Sequence, residues 1–175
     1  IIVQFGQMES LDGSERISEF VSAYHRLLDE FASRTQRIVL VSPMPFEKPR
    51  AKHAPDLTQR NSDVANYVEA IRLIAKQRQA HFIDLFNNEV IRSKELNLTN
   101  DGIHLNQIGL EVIGEQIAKG LGIASLSKSI NDKLRDVIIL KNQLWFDCWR
   151  PANWSFVYGD RVNQRFGKSG GNKPS

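Results

Sequence analysis

Cysteine is almost missing from this sequence: Cys148 stands alone, so no disulfide forms within the chain and no thiolate cluster for a metal can be assembled from it. Long apolar runs are missing too. None approaches the roughly 20 residues that cross a bilayer, and no basic stretch leading into an apolar core opens the chain as an export signal. No helix carries a His-x-x-x-His pair or comparable ligand spacing, so neither a metal nor another cofactor is expected. An excess of one charge is also lacking. The 23 Lys and Arg face 20 Asp and Glu for a net charge of +3, and the signs are interspersed, which gives no basic stripe for nucleic acid. Finally, the sequence has no initial methionine and opens inside an apparent strand, Ile1-Ile2-Val3-Gln4-Phe5-Gly6. The expectation is that more of the protein precedes it, which leaves localisation open.

What is present is ordinary globular composition, 41% apolar and 25% charged over 175 residues, enough for one main domain with a small appendage. After the opening strand, Asp12-Gly13-Ser14-Glu15 reads as a turn into a helix, with Ser14 as its N-cap. Ile17, Phe20, Val21, Tyr24, Leu27, Leu28 and Phe31 follow at spacings of three and four, one apolar face of an amphipathic helix. Arg37–Ser42 is a β-branched run stopped by Pro43, as in a parallel strand buried on both faces. Pro43, Pro45, Pro49 and Pro55 mark a long loop. A second helix is predicted from about Ser62 to Arg78, with Val64, Val68, Ile71, Ile74 and Ala75 inward, leading to a third strand at His81–Leu85. A short helical stretch near Asn88–Lys94, a polar turn at 98–102 and a helix from about Asn106 to Leu121 follow. Strands alternating with such helices predict βαβ crossovers and a parallel sheet.

The stretch richest in chemistry is Asn100-Asp101-Gly102-Ile103-His104-Leu105-Asn106, an acid three residues before a histidine on a loop entering a helix. In a tight turn the Asp101 carboxylate reaches the imidazole Nδ1 of His104, fixing its tautomer and leaving Nε2 to serve a nucleophile. By its spacing alone Asp-x-x-His is common. Its place after the last strand of a βαβ series, where ligands gather at strand C-termini, strengthens the assignment.

Asp101-Gly102-Ile103-His104-Leu105-Asn106 with Gly109 resembles the last block of the SGNH (GDSL-type) hydrolases, and the resemblance extends from Ile1 to about Gly122. It implies a three-layer α/β/α flavodoxin-like fold with a parallel sheet, incomplete at its N-terminus, in which Asp101 and His104 are two members of a Ser-His-Asp triad. The family's Gly-Asp-Ser block and its glycine donor block would then lie upstream of Ile1, on a part of the same protein that partners this one. Gly6-Gln7-Met8-Glu9 falls where the family carries its Gly-x-Asn-Asp or Gly-x-Asn-Glu block, so these four are the oxyanion and loop candidates. Here the chain departs from the pattern. The asparagine that donates to the oxyanion is replaced by Met8, whose thioether has no hydrogen to donate. Glu9 is expected to hold the loop through backbone hydrogen bonds. The activity implied is hydrolysis of acyl esters, acetyl and carbohydrate esters preferred, in an exported protein. A non-catalytic SGNH-like binding or scaffold module and an O-acyltransferase are the alternatives.

Ser42, Pro43 and His53 are candidates for the substrate rim, the first two at the C-terminal edge of the second strand and the third in the proline loop. His25 and His81 are expected to be structural. The domain reading is a hydrolase portion over 1–124, a helical and aromatic-rich extension over 125–167 with a helix from about Ser127 to Asp147, and a disordered tail over 168–175. The segment Lys141–Asp147 with Trp149, Arg150, Pro151, Ala152 and Asn153 resembles an extension found in SGNH-like proteins of planctomycete-type bacteria. Packing on the hydrolase domain is its expected role, with contact to another domain or stacking of its Trp faces on sugar as the alternatives.

Overall fold

The β-branched run predicted to be a doubly buried strand is the middle of the sheet. The computed structural model describes residues 1–93, 96–123 and 132–149. In it β1 (Ile2–Gln4), β2 (Val39–Val41) and β3 (His81–Ile83) run parallel in the order β1-β2-β3. The register sets Val3 beside Leu40 and Leu40 beside Phe82, so these three side chains share one face and Val39, Val41 and Ile83 share the other.

Each face has its own helices. The crossovers α1 (Ile17–Ala32) and α2 (Asn61–Arg78) close over Val3 and Leu40, where Tyr24, Leu28, Ile71, Ile74 and Ala75 complete one core. On the opposite face Val41 and Ile83 pack with Ile91 of α3 (Glu89–Arg92) and Ile113 of α4 (Gln107–Gly120), together with Leu85 and Leu98. This is a three-layer α/β/α arrangement with a parallel sheet. All five residues predicted to face inward on α2 are buried. Tyr67, on the same face, is fully buried as well, its hydroxyl donating to the Gly13 carbonyl at 3.0 Å.

The strands are shorter than the runs that announced them. β1 stops before Gly6, whose φ of +107° turns the chain out of the sheet, and β2 stops before Pro43, which has no N–H for the ladder. Ser14 is a correction. It is not an N-cap: it opens a 3-10 turn, Ser14–Arg16, ahead of α1, and its hydroxyl donates to Asp63 (3.1 Å) and accepts from Asn66 (2.9 Å), both on α2. Polar groups on the neighbouring helix have drawn the hydroxyl away from the backbone donors that a cap would satisfy.

The chain divides into two compact units, Ile1–Leu126 and Ser127–Ser175. The first holds the sheet and α1 to α4. In the second, the described residues form α5 (Asp132–Trp149), where Gln143 donates to Asp147 one turn later at 2.9 Å. The expected helix start at Ser127, the residues around Pro151 and Trp154, and the tail over 168–175 lie outside the described residues. Among the described residues no helix is long and apolar enough to cross a membrane.

Candidate active site

Asp101 and His104 sit on a loop closed upon itself. Thr99 and Leu105 pair as an antiparallel bridge, with the Asn100 N–H donating to the His104 carbonyl (2.8 Å) and the Asn106 N–H to the Leu98 carbonyl (2.9 Å). Gly102 makes the reversal possible with φ +91°. Asn106 then caps α4, accepting from the Gly109 N–H at 2.8 Å while its amide donates to the Asn97 carbonyl at 2.7 Å.

Within this loop the His104 Nδ1 lies 2.7 Å from Asp101 Oδ2. A carboxylate only accepts, so Nδ1 carries the hydrogen and Nε2 is the basic nitrogen. Asp101 Oδ1 accepts from the backbone N–H of His104 (2.8 Å) and of Ile103 (3.1 Å). These bonds hold its carboxyl at about 2, below the usual 3.8; the His104 backbone N–H contributes most, then its ring, then the Ile103 N–H. The acid is therefore ionised through the neutral range. His104 projects outward with 77% of its side chain exposed, Asp101 with 37%.

The residues flanking His104 border a cavity of about 420 Å³. Ile103 and Leu105 form one wall, and Gln4 through Glu9 with Pro43 and Met44 form the rest. The cavity thus opens at the C-terminal ends of β1 and β2. The Glu9 carboxylate accepts from the Gly6 N–H at 2.9 Å. The Gln7 amide donates to the Met44 carbonyl at 3.2 Å, and the Gln7 carbonyl accepts from the Ser10 hydroxyl at 2.6 Å. Met8 is 53% exposed and is one of the residues that line the cavity.

The other candidates fall in different places. Pro43 is buried and lines the cavity. Ser42 is wholly buried, its hydroxyl accepting from the N–H of Leu85 (2.8 Å) and of Phe86 (3.0 Å). It joins the ends of β2 and β3 and presents no group to solvent. His53 is exposed on the proline loop and is not among the cavity's lining residues. His25 accepts from Arg78 at Nδ1 (3.1 Å from Arg78 Nε), and His81 donates from Nε2 to the Gly120 carbonyl at 2.6 Å, at the strand end remote from Asp101. Among the described residues no group of three or more His, Cys, Asp or Glu is placed to hold a metal ion.

Sequence reasoning missed Glu47. It lies on the loop after β2 and accepts from the N–H of Thr99 (2.8 Å) and of Leu98 (3.1 Å) and from the Thr99 hydroxyl. Asn61, at the start of α2, fixes the neighbouring residue by accepting from the Phe46 N–H (2.7 Å) and donating to its carbonyl (3.0 Å). A carboxylate among prolines gives no pattern at a distance of 52 positions. The one signal was that the loop leaves a strand at its C-terminal end.

A parallel sheet covered on both faces, with an acid-oriented histidine on a loop beyond the strand ends, defines a three-layer α/β chain. This chain belongs to the GDSL-like lipase/acylhydrolase family, whose model matches residues 1–117. No curated protein matches the sequence. Among solved structures, a lipase/acylhydrolase from Enterococcus faecalis is similar with a TM-score of 0.53 at 19% identity, covering 67% of this chain and 58% of that one. A mutant acetyl-xylooligosaccharide esterase from Geobacillus Stearmophilus has a TM-score of 0.56 at 16% identity, over 73% of this chain and 61% of that one. An alpha/beta hydrolase enzyme from the metagenome of Lake Arreo, Spain, has a TM-score of 0.53 at 17% identity, over 71% and 60%. The chain thus spans about three fifths of these structures.

Proposed function

We propose that the protein hydrolyses acyl esters, with His104 as general base and Asp101 as its orienting acid. The observation that carries this is the 2.7 Å contact between Nδ1 and Asp101 Oδ2, which leaves Nε2 free to serve a nucleophile on a ring that is 77% exposed. The nucleophile is a serine N-terminal to Ile1. Nε2 takes the serine proton as the hydroxyl oxygen attacks the acyl carbonyl, and the imidazolium formed is stabilised by ionised Asp101. It then returns the proton to the leaving alcohol, and water repeats the sequence on the acyl-enzyme. Acetyl esters of carbohydrate are the preferred substrates. Support comes from family membership and from a similar fold in an acetyl-xylooligosaccharide esterase.

One observation favours a second reading, a non-catalytic binding module of the same fold. Met8 lines the cavity where the resemblance calls for a hydrogen-bond donor, and losing one oxyanion donor lowers rates by about 10² to 10³. Treatment of the intact protein with a fluorophosphonate probe, alongside p-nitrophenyl acetate turnover, separates the two. Labelling and turnover together support the esterase; a folded protein showing neither supports the binding module.

A further inference from the structure

The Glu47 side chain reaches the histidine-bearing loop from the loop after β2. Glu47 spans the gap between the loop after β2 and the residues that open the catalytic loop, accepting the N–H groups of Leu98 and Thr99 and the Thr99 hydroxyl. The hydroxyl is a relay as well, since it accepts the Gly102 N–H at 3.2 Å, and Gly102 adjoins Asp101. The clamp also closes through the backbone. The Glu47 N–H donates to the Gly102 carbonyl at 3.1 Å, and the Glu47 carbonyl lies 2.5 Å from where a Gly102 Cβ would stand, so the two loops touch main chain to main chain. Leu98 and Thr99 are buried, at 0% and 2% exposure. In that setting their donors have no water to turn to if the carboxylate is withdrawn.

We propose that Glu47 is a positioning residue for the Asp101–His104 pair, acting through Thr99 and Gly102 to hold Asp101 in register with the imidazole. This inference rests on the reading of Asp101 and His104 as acid and base. Glu47 touches neither substrate nor the reacting nitrogen. Its effect is on where the Asp101 carboxylate stands, and an error near 1 Å in such a constellation lowers turnover by about 100-fold. Replacing Glu47 by Gln keeps its size but turns an NH2 toward donors. Replacing Thr99 by Val keeps the shape and removes the relay, whereas Ser at the same position keeps the hydroxyl.

The test follows the Asp101 carboxyl by carbon-13 NMR titration in the intact protein, and in parallel kcat and KM for p-nitrophenyl acetate. In Glu47→Gln and Thr99→Val the Asp101 midpoint is expected to rise from about 2 toward 3.8, with kcat falling about 10- to 100-fold at unchanged KM. Thr99→Ser should match the parent, and the Glu47→Gln/Thr99→Val double variant should be no worse than the singles. A folded Glu47→Gln or Thr99→Val variant that melts earlier yet keeps the parental Asp101 titration overturns the proposal, because Glu47 then only braces the fold. The titration reads out without turnover. An inactive parent would thus refute the esterase reading while the Asp101 shift still decides the role of Glu47, and if Glu47→Gln does not fold, Thr99→Val against Thr99→Ser decides it.

Discussion

Replacing Gly109 by Ala puts a methyl group where α4 comes closest to the Asp101–His104 loop. The added Cβ would lie 2.0 Å from the Leu98 carbonyl oxygen and 2.9 Å from Leu105 Cδ2, against an ordinary closest carbon-to-oxygen approach of about 3.3 Å. Relief requires a shift of roughly 1 Å between helix and loop, enough to break the 2.9 Å bond from the Asn106 N–H to that same carbonyl. Overpacking of this kind costs about 1 to 3 kcal/mol and the lost hydrogen bond about 1 kcal/mol, while Ala in place of Gly in a helix returns about 0.8 to 1 kcal/mol. The net is a destabilisation of roughly 2 kcal/mol, or a Tm lower by about 4 to 8 °C for a chain of this size. Gly114, on the exposed face of the same helix, is a matched control with nothing within 4 Å of a built Cβ. Gly114→Ala should gain about 0.5 to 1 kcal/mol. Differential scanning calorimetry of both variants against the parent reads the contrast directly. If Gly109→Ala melts with or above Gly114→Ala, the close approach of α4 to Leu98 is not what fixes the loop.

Other expectations follow from single contacts. Ser42→Ala leaves the N–H groups of Leu85 and Phe86 without the hydroxyl that accepts both, a loss of about 2 to 4 kcal/mol; an unchanged urea midpoint would refute it. Asp101 is held at about 2, below 3.8, so its ionised contacts are complete above the ordinary carboxylate value and are lost only as pH falls through about 2. Carbon-13 NMR should therefore place its titration near 2, and a midpoint at 3.8 or higher would mean the bonds from His104 and Ile103 are not made in solution. Asp101→Asn should lower kcat by about 10³ to 10⁴ with little change in stability, because an amide holds the imidazole in the wrong tautomer. Retention of a tenth of the rate would count against the orienting role.

Much of this was legible in the chain because the controlling patterns are local. Val39-Leu40-Val41 reads as a doubly covered strand because both of its faces are apolar. Val64, Val68, Ile71 and Ile74 read as one helix face because their period is local too. The Asp101–His104 contact was readable because three residues and one glycine suffice to make it. Glu47 was not readable, since its partners are 51 and 52 positions away and are mostly backbone N–H groups, which leave no residue type to notice. The hydroxyl partners of Ser42 and Ser14 were not readable for a related reason. A hydroxyl next to a strand end or a helix start satisfies whichever neighbour the fold brings up, and here those neighbours are Leu85 and Phe86 in one case and Asp63 and Asn66 in the other.

The central claim is that His104 is the base of an ester hydrolase, and His104→Ala in the intact protein tests it most directly through p-nitrophenyl acetate turnover measured beside a thermal melt. With 77% of its side chain exposed, the ring can be removed at a stability cost within about 0.5 kcal/mol, so the account predicts an unchanged melt and a fall in kcat of at least about 10³-fold. A variant that melts as the parent does and keeps more than a tenth of its turnover would contradict the claim.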